Sequence, residues 1–257
     1  MTRVGVALRI AIVGVLLALI VPPHLLAVRF DWRWAGWAPL VFHRIVLRLF
    51  GVHVTERGIP PPRRSATLVL ANHVSWLDIP VIGSLHPLSF IAKAEVGRWP
   101  VVGTFARLQR TVFIDRGRRK ATAEVNHAVA HRLRKGEAIV LFAEGTTGDG
   151  NRVLPFRSSL VGAAQAALAD GSVERIALQP LAIAYSRRNG LPVTRRERPA
   201  IAWYGDMDLV PHLGLFVREG PLDAVVTWGE PIPFPGDRKM ATAAAEAMVR
   251  RMVRERA

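Results

Sequence analysis

Cysteine is absent from all 257 residues. That removes disulfides, zinc–thiolate sites and a thiol nucleophile together, and leaves the chain indifferent to the redox poise of its compartment. No Gly-x-Ser-x-Gly elbow is present, so a serine acyl-enzyme has no obvious nucleophile and a lipase-like hydrolase is disfavoured. No glycine-rich loop ends in Gly-Lys-Ser/Thr, which argues against a nucleoside triphosphate. The histidines are scattered rather than set at ligand spacing, so no metal is expected. Acidic residues are scarce: 20 stand against 35 Lys plus Arg, a formal charge of +15. Such a surplus attracts polyanions, whether nucleic acid, anionic headgroups or phosphate-bearing substrates, and charge alone does not choose among them. No nucleic-acid recognition motif accompanies it, and the apolar N-terminus argues against nucleic acid as a partner.

That N-terminus holds an apolar segment from Val4 to Pro22, interrupted by Arg9. Its unbroken part, Ile10 to Pro22, is shorter than the roughly 20 residues of a full span. A retained anchor (spanning, or lying in the interface), a cleaved signal and a buried core helix all fit such a run. No small-x-small cleavage site follows it, and Arg9 can snorkel, so an anchor is expected. Trp32, Trp34 and Trp37 come next, and Trp prefers the headgroup zone. Ala38 to Phe50 then has the pattern of a basic amphipathic helix, with Arg44 and Arg48 on one polar stripe. It suits either a membrane surface or ordinary packing on the domain.

Past the prolines at 60–62, short apolar runs alternate with helical periods. Strands are expected at Val52–Thr55, Ala66–Ala71, Leu88–Ala92, Thr111–Ile114, Ala138–Phe142, Ile176–Tyr185, Pro199–Tyr204 and Asp223–Trp228. Helices are expected at Arg119–Lys135, Ser158–Ala169 and Ala241–Arg256. The alternation implies an α/β fold: a mostly parallel central sheet flanked by helices, over residues 51–257, behind N-terminal membrane-anchoring helices in residues 1–50. Ligands of such sheets sit outside the carboxyl ends of the strands, so the residues just after each strand are the candidates.

Four clusters stand there. In Asn72-His73-Val74-Ser75-Trp76-Leu77-Asp78, His73 and Asp78 differ by about 140° on a regular helix. They meet only if His73 sits in the turn and Asp78 in the first turns of the helix. Asp78 then fixes one ring nitrogen and leaves the other free to take a proton. The competing reading makes Asn72 or Ser75 a helix cap and His73 incidental. The second cluster, Phe113-Ile114-Asp115-Arg116, opens a basic run that either binds phosphate or forms a solvated helix face. The third, Phe142-Ala143-Glu144-Gly145-Thr146-Thr147-Gly148, is a glycine-rich loop able to bring N–H groups close to an oxyanion, with Arg157 beyond it. The fourth is the apolar, proline-bearing strand around Pro180, fit for a substrate wall or for plain core.

As an ordered set, over roughly residues 40 to 235, these clusters resemble the glycerolipid acyltransferase family, whose best-known members are the 1-acyl-glycerol-3-phosphate acyltransferases. The family pattern Asn-His-x4-Asp matches at Asn72, His73 and Asp78. Its second block matches at Phe113, Asp115 and Arg116, its third at Phe142, Glu144, Gly145 and Thr146, and its fourth at Pro180. Ala143 stands where proline is usual, and Arg110 where glycine commonly precedes the second block. The segment Trp203-Tyr204-Gly205-Asp206-Met207-Asp208 is similar to the subgroup that acylates lyso-ornithine lipid.

The resemblance implies transfer of an acyl chain from acyl-ACP or acyl-CoA to the free hydroxyl of a lyso-lipid. His73 is the implied base and Asp78 orients it, with no acyl-enzyme, metal or other cofactor. Arg116 and the loop Glu144, Gly145 and Thr146 would hold the acceptor headgroup. Asn72, Phe113 and Arg157 would line the site, and Ser75 would act as cap or supporting donor. Such an enzyme belongs on the inner membrane with its catalytic domain on the cytoplasmic side. A non-enzymatic anionic-lipid binder on the same scaffold is the alternative; it would not need His73 and Asp78 together.

Overall fold

The computed structural model describes residues 3–30, 32, 34–114, 119–162, 165, 175–234 and 237–255. Its centre is one sheet built on β2 (Thr67–Ala71), whose five residues are all buried. Alternation along β2 feeds two cores. Leu68 and Leu70 face one layer, with Leu133 of α6 (Arg119–Arg134) and Val249 of α8 (Arg238–Arg254). Val69 and Ala71 face the other, with Leu47 of α2 (Trp37–Leu49), Ile82 of α3 (Asp78–Gly83) and Phe216 of α7 (Leu209–Arg218). A strand buried on both faces reads as a continuous apolar run, as this one does.

The neighbours of β2 are β5 (Ala138–Phe142) and β6 (Ala177–Arg188), both parallel to it. Beyond β5 lie β3 (Ser89–Lys93) and then β4 (Val112–Ile114), again parallel. Beyond β6 lie β8 (Leu222–Trp228), antiparallel to it, and β1 (Val52–Arg57), parallel to β8. Two short strands, β7 (Leu191–Pro192) and β9 (Ile232–Pro233), also pair antiparallel with β6. The mostly parallel sheet read from the sequence is therefore present. Ala71 stands level with Phe142, so the carboxyl ends of β2 and β5 form one rim, and β6 runs on past it from Leu181 to Arg188.

Several elements differ from expectation. α1 runs from Arg3 to Arg29, through both Pro22 and Pro23. The prolines remove two N–H donors and free the carbonyls of Ala18 and Leu19, yet the helix continues past them. At 1.5 Å per residue the helix is about 40 Å long. Gly5–Arg29 is long and apolar enough to cross a membrane, with a mean hydropathy of 2.4 and none of that window buried in the protein. Pro199–Tyr204 is not a strand. Arg198–Ala200 forms a single 3-10 turn, and Ile201 and Ala202 are buried by packing rather than by a ladder. Ser158–Val161 is likewise a 3-10 turn, and most of the helix expected to follow it lies outside the described residues. α7 is an element the sequence does not announce, because Pro211, His212 and Gly214 interrupt its apolar residues and leave no clear helical period.

α2 is packed on the domain. Leu40 and Leu47 are buried, and Arg44 donates to the carbonyls of Ser84 (2.6 Å) and Leu85 (3.2 Å) at the end of α3. His43 reaches Gln109 Oε1 at 2.7 Å, and Gln109 Nε2 donates to Leu88 O. Burial pushes the His43 pKa down, which keeps this bracket neutral. Two further helices, α4 (Ala94–Arg98) and α5 (Pro100–Leu108), follow β3. The carbonyl of Leu108 accepts from His24 of α1 at 2.7 Å.

Candidate active site

The rim carries the chemistry. Asn72, the first residue past β2, replaces a backbone ladder with its amide: Nδ2 donates to Ile183 O (3.0 Å) and Oδ1 accepts from Ile183 N (2.9 Å). That bracket fixes where the chain leaves the sheet, and His73 follows at once.

The next six residues curl around one carboxylate. Asp78, fully buried at the head of α3, accepts at Oδ2 from His73 Nδ1 (2.7 Å), Val74 N (2.7 Å) and Ser75 N (3.0 Å). Its Oδ1 accepts from Tyr185 OH on β6 at 2.6 Å. Because a carboxylate only accepts, the His73 proton is on Nδ1 and the Nε2 lone pair points away from Asp78. The ring is fixed by stacking on Phe142, with centroids 3.8 Å apart and planes 11° apart. His73 keeps 17% of its side chain exposed, and Nε2 has no hydrogen-bond partner among the described residues. An imidazole with its tautomer fixed, its plane held and one nitrogen open can take a proton from a hydroxyl.

The loop after β5 stands beside it. Ala143 N donates to Ala71 O (3.0 Å), Gly148 N to His73 O (2.8 Å), and Arg157 N to Ala143 O (2.8 Å). Proline at 143 could not make the first of these bonds, so the departure at Ala143 adds a tie between β2 and the loop. Glu144 is 3% exposed. Its Oε1 accepts from His73 N at 3.4 Å, while Oε2 has no partner among the described residues. Burial raises its pKa to about 8, against the pull of backbone N–H groups from His73 and Leu154. Gly145 holds φ +73°, a conformation glycine adopts without strain.

Of the residues picked from the sequence, Asn72, His73, Asp78, Glu144 and Gly145 are brought together, with Phe142 beneath them. Thr146 and Arg157 are exposed on the same loop. Ser75 contributes its backbone N–H rather than a cap; its buried hydroxyl has no partner among the described residues, and α3 begins after Leu77. Phe113 is on β4, three strands from β2 and so about 14 Å away, packed against Gly97. Asp115 and Arg116 lie outside the described residues. Arg110, where glycine is usual, has φ +60° and pairs with Glu137 at 3.0 Å, so the position calls for a left-handed backbone that glycine would adopt with less strain.

Sequence reasoning missed Tyr185 as a site residue. The available signal was a lone phenol at the end of an aliphatic strand. Burial and the Asp78 charge push its pKa well up, so the hydroxyl stays a donor. It also missed the brace formed by Trp76, whose indole N–H donates to His212 Nδ1 at 3.0 Å, and by Trp203, whose N donates to Val74 O at 3.0 Å.

A His–Asp pair at the carboxyl rim of an α/β sheet, with one imidazole nitrogen open, has the geometry to take a proton from a hydroxyl. Comparison narrows the class. The acyltransferase family model matches residues 52–184. A lyso-ornithine lipid O-acyltransferase of Brucella abortus is 45% identical over 95% of this chain and 91% of its own length. One from Rhizobium meliloti is 39% identical over 96% and 87%. The crystal structure of the 1-acyl-sn-glycerophosphate acyltransferase PlsC from Thermotoga maritima shares the fold, with a TM-score of 0.66 at 21% identity over 96% of this chain and 93% of that one. The chain belongs to the acyltransferase family. That membership makes it an enzyme and sets aside the non-enzymatic lipid binder.

Proposed function

We propose that the chain acylates the free hydroxyl of lyso-ornithine lipid, with acyl-ACP or acyl-CoA as donor. The observation that carries the mechanism is the 2.7 Å bond from His73 Nδ1 to Asp78, which leaves Nε2 open at the rim. His73 Nε2 takes the hydroxyl proton as the oxygen attacks the thioester carbonyl. The tetrahedral intermediate then collapses, the C–S bond breaks, and the thiolate leaves and recovers the proton from His73. Asp78 holds the tautomer and stabilises the imidazolium. The unpartnered Glu144 Oε2 and the exposed Thr146 and Arg157 receive the acceptor headgroup, together with Arg116. The base is a side chain and the thioester is a substrate, so this chemistry needs no metal or other cofactor.

The acceptor assignment leans on the two relatives of 45% and 39% identity, which match nearly the whole chain and carry that activity in their names. α1 anchors the enzyme in the inner membrane, with the catalytic domain on the cytoplasmic side where acyl carriers are found. The test is to incubate membranes holding the chain with labelled acyl-ACP or acyl-CoA and a panel of lyso-ornithine lipid, lysophosphatidate and other lyso-phospholipids. Label in ornithine lipid well above all other products is expected. Label in phosphatidate instead would reject the acceptor assignment, and label in no product would reject the donors.

A further inference from the structure

α7 is apolar on two sides. Inward, His212 and Phe216 are buried under Trp76, which donates to His212 Nδ1 and meets Phe216 edge-on at 5.4 Å. His212 Nε2 donates on to Ala202 O at 3.1 Å, and burial lowers its pKa, so the brace is a neutral imidazole. Beside this buried stripe, Val210 and Leu213, three apart, are exposed on one flank, Val210 to 78%, and Leu215 is exposed on the other. Exposed apolar flanks on a helix already packed along its inner stripe call for a second apolar partner.

The surroundings say which partner. α7 lies in the same layer as α2 and α3, since Phe216 shares a core with Leu47 and Ile82. Helix α5 connects it to α1. Trp99, at the head of α5, meets Trp203 edge-on at 6.0 Å on the loop leading into α7, while the end of α5 accepts from His24 of α1. The rim carries both signs: Arg98, Arg195, Arg196 and Arg218 are exposed on the adjoining segments, with Glu95, Asp206 and Asp208 exposed among them. Tryptophans, aliphatic residues and arginines in one layer beside an apolar helix match the headgroup–acyl boundary of a bilayer.

We propose that α7 is a second membrane contact, lying in the interface beside α1 and seating the His73 rim against the lipid that carries the acceptor. It rests on α1 holding the chain in the membrane. The link to the site is short, because Trp76, which clamps α7, is three residues from His73.

The absence of cysteine makes the test direct. L213C and M240C are each labelled with an environment-sensitive fluorophore in the full chain. Met240 is exposed on α8, across the sheet. The proteins are bound to vesicles of phosphatidylcholine with a minority of phosphatidylglycerol, with and without spin-labelled lipid. A blue shift and several-fold lipid quenching at position 213, with neither at 240, are expected. Co-sedimentation with vesicles while the label at 213 stays in water would overturn the proposal and leave the α1 anchor standing; loss of co-sedimentation would overturn both. A blue shift that grows with protein concentration and ignores spin-labelled lipid would assign the face to a second copy instead. Independently, L213D combined with L215D should raise the KM for bilayer-presented acceptor about tenfold and leave turnover of a short-chain, monomeric acceptor within about twofold. Unchanged KM for both acceptors would contradict it.

Discussion

Two buried carboxylates stand on either side of His73, and they are treated differently. Asp78 sits in the turn between β2 and α3 with four donors on its two oxygens. Glu144 sits in the loop after β5 with one oxygen unpartnered among the described residues and a pKa raised to about 8. The fold has saturated one acid and left the other incomplete. Saturation suits a group that must hold an imidazole still, because every partner removes a way to move. An orphaned buried oxygen is costly and persists where a ligand completes it. On the proposed mechanism the difference separates orientation of the base from reception of the acceptor, although both acids lie in sequence runs that look equally conspicuous.

Breaking the base has the largest effect: H73A should lower turnover by about 10³-fold or more with circular dichroism unchanged. D78N should follow, at about 10²–10⁴-fold in kcat, because the amide presents a donor to an N–H that needs an acceptor. Steady-state assays on purified, folded protein check both, and wild-type-like kcat in either would place orientation elsewhere. E144Q should act on the other side of the comparison, raising the acceptor KM by about tenfold or more with a smaller change in kcat.

E144Q also carries a pH signature. A carboxyl whose folded pKa exceeds its unfolded value adds stability in acid that is lost as pH rises from about 4.5 through about 8. The charged, buried form is thus the unstable one, and E144Q should melt near wild type at pH 4 but above it at pH 9. Thermal scans at the two pH values read this, and a wild-type advantage at pH 9 would contradict the burial argument. The smallest effect belongs to Y185F, which takes one of four donors from Asp78 and should cost about 1 kcal/mol of stability with a few-fold drop in kcat.

Much of this is legible in the chain. Ala66–Ala71 and Ala138–Phe142 read as strands because buried parallel strands are continuous apolar runs. Asn72, His73, Asp78 and Glu144 stand out because they come just past those strands, where the sheet places ligands. What stays hidden needs the third dimension. Tyr185 is 107 residues from Asp78 and meets it only because β6 pairs with β2. Phe113 matches a motif in order yet lies three strands off. Pro22 and Pro23 argue for an end to α1, but two lost N–H groups do not outweigh the apolar stretch continuing to Arg29. α7 escapes a periodicity reading because the exposed Val210, Leu213 and Leu215 alternate with the buried His212 and Phe216.

If His73 and Asp78 act as one unit, their losses should not multiply. The decisive comparison is kcat for H73A, D78N and H73A/D78N on the same lyso-lipid acceptor. With the base gone, D78N should cost nothing further, leaving the double variant level with H73A alone. A double variant that shows the full D78N loss on top of H73A, or an H73A enzyme that still turns over, would show that the proton leaves the acceptor by another route.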